Sequence, residues 1–288
     1  FCTPGFVMSL AGLLEARRGA GAPDRETVLE TLSGNLCRCT GYRPILAAAQ
    51  AMFDAPAAAP LAEMIPAEAI RSLPGTPPAH YHRPADEAAL QALLRSDPGA
   101  RLVAGGTDLM LEYTQQHAAF PALVDLSGVR ELRVLETHGD GAGAVLRIGA
   151  AVPLRELEAA VARTLPALTA LLGRYGSPQI RHRGTLGGSL GTASPIGDLA
   201  PVLQVLGAEL ELAGADGRRR RVPARDFHVD YRRTVLAPGE YLAAARVPLP
   251  GPAGRLILRK YGKRREDDIS SVLGAALVGA GTPRFAWG

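Results

Sequence analysis

Cys2, Cys37 and Cys39 are the three cysteines of this 288-residue chain, and all fall within its first 40 residues. Thiolates are soft donors that suit zinc and iron–sulfur clusters. The C-x-C spacing of Cys37 and Cys39 suits a metal better than a disulfide, and three cysteines make no complete set of bridges. Zinc calls for a fourth ligand, and the nearest histidine, His80, lies far along the chain. An iron–sulfur cluster also calls for a fourth thiolate. Both "CTP" (2–4) and "CTGYRP" (39–44) set a sulfur just ahead of an expected helix start. Free N–H groups and the positive end of a helix dipole there face an anion, which favours an anionic cluster.

Two glycine-rich stretches form the second chemical signal. "RLVAGGTDLML" (101–111) reads as a strand, a Gly-Gly turn and a helix opened by Thr107 and Asp108. Glycines let a backbone approach a pyrophosphate, and the helix start favours its charge. The stretch is neither a G-x-G-x-x-G fingerprint nor a P-loop, and a plain strand-to-helix turn remains the alternative. "GTLGGSLGTASPIGDLAPVL" (184–203) reads as a long donor-rich loop running to Asp198, with hydroxyls at Thr185, Ser189, Thr192 and Ser194. A hinge or solvated loop is its alternative. "HYH" (80–82) reads as surface, "RRRR" (218–221) as a solvated hairpin strand, and "KRREDD" (263–268) as an exposed ion-paired segment.

The elements that must position these residues fall into two groups. Residues 1–54 read as helical. Thr3 is the expected N-cap and Pro4 takes the first helical position, with apolar Phe6, Leu10, Leu13 and Leu14 at helical spacing and Gly19 as the stop. "PDRETVLETLSG" and "RPILAAAQAMFD" read as two further helices. Residues 55–79, rich in Ala and Pro, read as a linker. From His80 to residue 280 the pattern is mixed. Strands are expected at "ARLVAG" and "ALVDLS", helices at "DEAALQALLRS" and "TDLMLEYTQQ", and a strand running into a helix at "VLRIGAAVPLRELEAAVA". The strands "AELELAG", "RRRVPA", "GEYLAAARVPL", "RLILRKYG" and "ISSVLGAALV" then predict an antiparallel sheet in an α+β lobe. Residues 281–288 carry no conformational expectation.

Composition narrows the class. The chain is 47% hydrophobic and 21% charged, as ordinary globular proteins are. Its net charge of +4 is spread out and its aromatic content is 5%, without the basic stripe that a nucleic-acid partner calls for. No apolar stretch reaches a membrane span, so neither nucleic acid nor membrane is expected as a partner. The cysteine usage predicts a reduced, cytoplasmic setting.

"FCTPGFVMSLAGLLEA" and "GNLCRCTGYRPI" resemble the helical [2Fe–2S] domain of the xanthine dehydrogenase family of molybdenum hydroxylases, whose motifs read C-G-x-C-T-P-G and C-R-C-T-G-Y. The resemblance implies Cys2, Cys37 and Cys39 as cluster ligands, with a fourth cysteine expected before Phe1, so that the chain reads as a fragment cut at both ends. From about His82 to Val278, "LVAGGTDL", "GTLGGSLGTASPIGDL" and "KRREDDIS" resemble the FAD-binding domain of the same family, a PCMH-type, non-Rossmann fold. That likeness implies bound FAD. Leu102, Val103, Ala104, Gly105, Gly106, Thr107, Asp108 and Leu109 match its first pyrophosphate loop. Thr185, Leu186, Gly187, Gly188 and Ser189 match the second, with Ser189 where the family often has Asn. Tyr175, Asp198, Leu242 and Lys260 match the remaining flavin-contact positions.

The resemblance further implies an oxidoreductase subunit with no catalytic residue of its own. Electrons would pass from [2Fe–2S] clusters to FAD and on to NAD, and a molybdenum-cofactor large subunit would hydroxylate the substrate, a purine in the family, within a hetero-oligomer. The order of an Fe–S domain then a flavin domain in one chain favours the xanthine dehydrogenase small subunit over the flavin subunit of an aerobic carbon monoxide dehydrogenase. A non-catalytic adaptor that docks the molybdenum protein is the reading from another class.

Overall fold

The structure is a computed structural model that describes residues 1–55, 59, 60, 63, 80–265, 267–279 and 281–288. The chain divides into two compact units, Phe1–Thr76 and Pro77–Gly288. The expected linker, save for residues 55, 59, 60 and 63, lies outside the described residues, as does Glu266 of the "KRREDD" segment.

The first unit is built from α1 (Thr3–Ala16), α2 (Arg25–Leu32) and α3 (Arg43–Ala51). Phe6, Leu13, Val28, Leu32 and Ala49 make its core. Helical backbone already begins at Thr3, so the N-cap position belongs to Cys2 rather than to the expected Thr3. Neither side chain makes a capping bond, and Pro4 in the first turn leaves one N–H fewer to satisfy. Asp24 caps α2 in the ordinary way, accepting from the Thr27 N–H at 2.8 Å. The loop after α2 folds back on α1. Asn35 Nδ2 donates to Ser9 Oγ at 2.8 Å, and a Cβ on Gly5 would lie 2.6 Å from Asn35 Oδ1.

The second unit is the expected α+β mixture. A small parallel sheet of order β1-β3-β2 joins Tyr81–His82, Leu123–Asp125 and Arg101–Val103. Helix α4 (Glu87–Ser96) connects β1 to β2, and α5 (Leu109–Gln116) connects β2 to β3. "HYH" therefore supplies a strand as well as surface. The Tyr81 hydroxyl donates to buried Asp125 at 2.6 Å, which ties the first strand to the middle one.

An antiparallel sheet comes next in the order β4-β5-β10-β6-β7, with β4 at Leu135–His138, β5 at Val145–Gly149, β6 at Glu209–Gly214, β7 at Arg219–Pro223 and β10 at Glu240–Pro248. The central strand β10 is buried from Tyr241 to Ala245. Its alanines let layers pack on both faces: Leu242, Ala245 and Val247 join the main core, while Tyr241 and Ala243 join a smaller one with Leu90 and Leu94 of α4. A bulge between Leu242 and Ala244 shifts the register. "RRRR" forms the expected hairpin strand, but Arg219 and Arg220 are paired to Glu87 and Glu240.

Helices α6 (Leu154–Ala160), α7 (Pro166–Leu172), α8 (Pro178–Arg183), α9 (Leu186–Gly191) and α10 (Leu199–Leu206) fill the stretch between β5 and β6. The expected long loop at 184–203 is thus helical at 186–191 and from 199 onward, and remains a loop over 192–198. Apolar Leu186, Leu190, Leu199, Val202, Leu203 and Leu206 carry helical spacing that its glycines mask, and all are buried. A short hairpin of β8 (His228–Asp230) and β9 (Arg233–Thr234) precedes β10. Strands β11 (Arg255–Tyr261), β12 (Val272–Val278) and β13 (Arg284–Trp287) form a second antiparallel sheet, so residues beyond 280 contribute a strand.

Candidate functional site

The second unit gathers its chemistry at the carboxyl end of β2. Residues 102–109 are half-buried. Gly106 has φ +77°, which turns the chain between strand and helix and favours glycine. Gly105 is glycine for a different reason: a Cβ there would overlap the Arg183 carbonyl at the end of α8. This close approach sets the first glycine-rich stretch directly against the second. Among the described residues, the N–H groups of Gly105, Gly106, Thr107 and Asp108 have no hydrogen-bond partner within the protein. Four neighbouring donors left unspent at a half-buried turn fit an anionic oxygen-rich group such as a pyrophosphate.

The second stretch uses its donors differently. Gly187 N–H goes to the Ala150 carbonyl at 2.9 Å, Ser189 N–H to the Thr185 carbonyl at 3.0 Å, and Gly188 N–H to Thr185 Oγ1 at 3.0 Å. Thr185 is the side-chain cap of α9. Gly187 is required by packing, since a Cβ would lie 2.6 Å from both the carbonyl oxygen and the Cβ of Ala150. Ser189 therefore offers a ligand its hydroxyl rather than its N–H, while the Thr185 hydroxyl is already engaged with Gly188. Ser189 Oγ accepts from the Tyr175 hydroxyl at 3.1 Å. Burial raises the pKa of that phenol, the Ser189 hydrogen bond offsets part of the rise, and the charges of Asp198 and Asp108 add to it, so both carboxylates lie within electrostatic reach of Tyr175.

Asp198 and Lys260 form an ion pair at 2.7 Å with both side chains 4% exposed. Ser270 donates to the other carboxylate oxygen of Asp198. Leu242 is buried in the main core with Leu186 and Leu190. The structure thus joins Gly105 to the Arg183–Gly184 turn, Tyr175 to Ser189, and Asp198 to Lys260.

Sequence reasoning missed three residues. Ser270 closes the quoted "KRREDDIS" stretch, but nothing in that stretch signals that its hydroxyl reaches Asp198. Arg174 donates to the Lys260 carbonyl at 2.9 Å and the Arg265 carbonyl at 3.2 Å, tying the end of β11 to the first half of the β11–β12 connection. Arg232, at φ +51°, reaches Asp108 at 3.4 Å. A non-glycine residue in the left-handed region has no sequence signature that would have revealed it.

In the first unit, Cys2 and Cys37 come together. The Cys2 thiol donates to Cys37, which first of all, with burial second, raises its pKa. Cys37 is lowered to about 7, chiefly by the Thr40 hydroxyl, which donates to its Sγ at 3.2 Å, and then by the N–H groups of Thr40 and Cys39. Such donors stabilise thiolate, so the pair fits the sulfur chemistry of a cluster. Those donors come from a turn rather than from the helix end expected at "CTGYRP": Gly41 and Tyr42, both left-handed, separate Cys39 from α3. Cys39 is exposed. Among the described residues no group of three His, Cys, Asp or Glu side chains is placed to hold a metal ion.

The family model of the FAD binding domain in molybdopterin dehydrogenase matches residues 76–250. The chain belongs to the molybdopterin dehydrogenase family. The model of the [2Fe-2S] binding domain matches residues 1–50, so this family member carries the FAD/[2Fe–2S] region of a molybdenum hydroxylase. Xanthine dehydrogenase 2 of Arabidopsis thaliana is 28% identical over 346 aligned positions, covering 96% of this chain and 25% of that protein. Xanthine dehydrogenase/oxidase of Mus musculus is 30% identical, covering 94% and 24%. The chain spans about a quarter of the length of the curated relatives it matches. Among solved structures, quinoline 2-oxidoreductase from Pseudomonas putida 86 matches at 30% identity with TM-score 0.66, covering 74% of each chain. Reconstituted CO dehydrogenase from Oligotropha carboxidovorans matches at 30% and 0.66, covering 75% of each. Among the described residues no helix is long and apolar enough to cross a membrane.

Proposed function

We propose that this chain is the electron-transfer flavin/iron–sulfur part of a xanthine dehydrogenase-like hydroxylase, taking electrons from a molybdenum-cofactor partner in a hetero-oligomer and delivering them to NAD. The observation that carries the flavin end is the set of unspent N–H donors at Gly105–Asp108 beside the Thr185–Ser189 stretch. When bound, a [2Fe–2S] cluster passes single electrons and FAD exchanges one or two. The chain's own residues hold and tune. Residues 102–109 cradle the pyrophosphate. Ser189 lends its hydroxyl, and Thr185, Leu186, Gly187 and Gly188 shape that wall. Tyr175, Asp198, Leu242 and Lys260 line the flavin end. Cys2, Cys37 and Cys39 supply thiolates, with the N–H and hydroxyl donors of the 39–40 turn favouring the charged sulfur of Cys37. A reducing cytoplasm keeps such thiolates available.

The matches to CO dehydrogenase and quinoline oxidoreductase chains leave the flavin subunit of such a hydroxylase as a second reading. NADH formation with xanthine as donor, on reassembly with a molybdenum subunit, separates the two. The simplest test of the core proposal is the absorption spectrum of the purified chain after reconstitution with FAD, iron and sulfide. Flavin bands that bleach on reduction are expected, with full iron–sulfur bands only once a fourth cysteine ligand is supplied. A chain that stays colourless contradicts the proposal and favours an adaptor. The boundary between units is tested by a chain beginning at His80, which is expected to keep FAD.

A further inference from the structure

We infer that Ser270 is a positioning residue of the flavin end, fixing Asp198 so that its second oxygen holds Lys260. The inference rests on the flavin reading above. Asp198 occupies the N-cap position of α10, where a carboxylate ordinarily accepts from its own helix, yet its side chain makes no capping bond. Both oxygens are turned sideways instead. Oδ2 accepts from Lys260 Nζ at 2.7 Å, and Oδ1 accepts from Ser270 Oγ. Asp198, Lys260 and Ser270 are 4%, 9% and 5% exposed. Burying two opposite charges costs desolvation that their attraction regains only when further hydrogen bonds complete the geometry, so such a pair is weak evidence for stability and better evidence for a site.

Ser270 supplies that completing bond from an independent element. It ends the 262–269 connection between β11 and β12, and the adjacent Ser271 N–H returns to the Tyr261 carbonyl at 2.7 Å. Lys260 enters the same connection from the other side, with its carbonyl held by Arg174. The hydroxyl therefore joins the N-terminus of α10 to both arms of the β11–β12 hairpin. Without it, one oxygen of a buried carboxylate loses its partner, and the carboxylate is free to rotate with Lys260 following. The direction in which Lys260 presents its charge then ceases to be fixed, while the residues of the 102–109 cradle stay as they are.

The test is FAD titration of the full chain by fluorescence, with the visible flavin spectrum and the flavin midpoint potential read on the same samples. Ser270→Ala is expected to weaken FAD about tenfold, the equivalent of one hydrogen bond to a charged group, and to shift both spectrum and potential. Ser270→Thr, which keeps the hydroxyl, is expected to restore both. Should Ser270→Ala fail to fold, Ser270→Cys, a weaker donor, carries the measurement with the same expected direction. If the parent chain binds FAD and the variant matches it in affinity, spectrum and potential, whatever its melting temperature, Ser270 is merely structural and the inference falls alone. If the parent binds no FAD, the flavin reading falls and takes the inference with it.

Discussion

The two glycine-rich stretches of the second unit look alike as sequence and behave differently as structure. Residues 105–108 keep their N–H groups unspent, whereas Gly187, Gly188 and Ser189 spend theirs on Ala150 and Thr185. The difference lies in where the helix starts relative to each glycine pair. After Gly105 the chain turns through the left-handed Gly106 before α5 begins, so the turn's donors face outward. After Thr185 the glycines themselves enter α9, and helix and neighbouring strand consume their donors. Glycine content alone therefore does not mark a phosphate loop; the proposed cradle is distinguished by its unspent donors, and the second stretch is the wall against which it packs.

This contrast is tested most severely at Gly105. Gly105→Ala forces a methyl into the Arg183 carbonyl, so both the cradle and its wall must move. Overpacking of this kind costs about 1–3 kcal/mol or more, and stability and FAD binding are expected to fall together in melting and titration. A smaller effect is expected at Gly187→Ala, where the intruding Cβ meets Ala150 at 2.6 Å. The melting temperature should drop, while FAD affinity well below the melt stays within about tenfold, or 1.4 kcal/mol, of the parent. The least effect belongs to Gly143→Ala, which meets nothing within 4 Å and is the proper control. Gly141, an equally exposed neighbour, has φ +60° and would be strained by any side chain.

Much of the fold is legible in the sequence. Alternating or continuous apolar runs mark β5, β6, β10, β11 and β12, and the strand–Gly-Gly–helix order marks the cradle. The helices at 186–206 are hidden because glycines, serines and threonines dominate the reading of that stretch, while buried leucines decide its fold. Leu242 matches a contact position through the resemblance, and the structure buries it in the main core. Asp198 and Lys260 are found through resemblance, yet their pairing with each other and with Ser270 depends on the start of α10 meeting the two sides of the β11–β12 connection, 62 and 72 residues further on. No local pattern encodes it. The same holds for the Cys2–Cys37 pair, whose donors arise from a turn that only the left-handed Gly41 and Tyr42 create.

The central claim is that the N–H groups of Gly105–Asp108 hold the FAD pyrophosphate, and Gly106→Val tests it most directly. The position has room, since the nearest atom to a Cβ is Val103 Cγ1 at 3.6 Å, but its φ of +77° is denied to a β-branched residue. The turn must therefore reorient at a local cost of roughly 1–2 kcal/mol, leaving the core intact. FAD and riboflavin, which lacks phosphate, are titrated against parent and variant while circular dichroism tracks folding. The account predicts that the parent prefers FAD strongly and that the variant, still folded, loses about 10²–10⁴-fold in FAD affinity, as two charge-assisted bonds of about 1.5–3 kcal/mol each would require, with riboflavin binding unchanged. A folded Gly106→Val that keeps the parent's preference for FAD over riboflavin contradicts it.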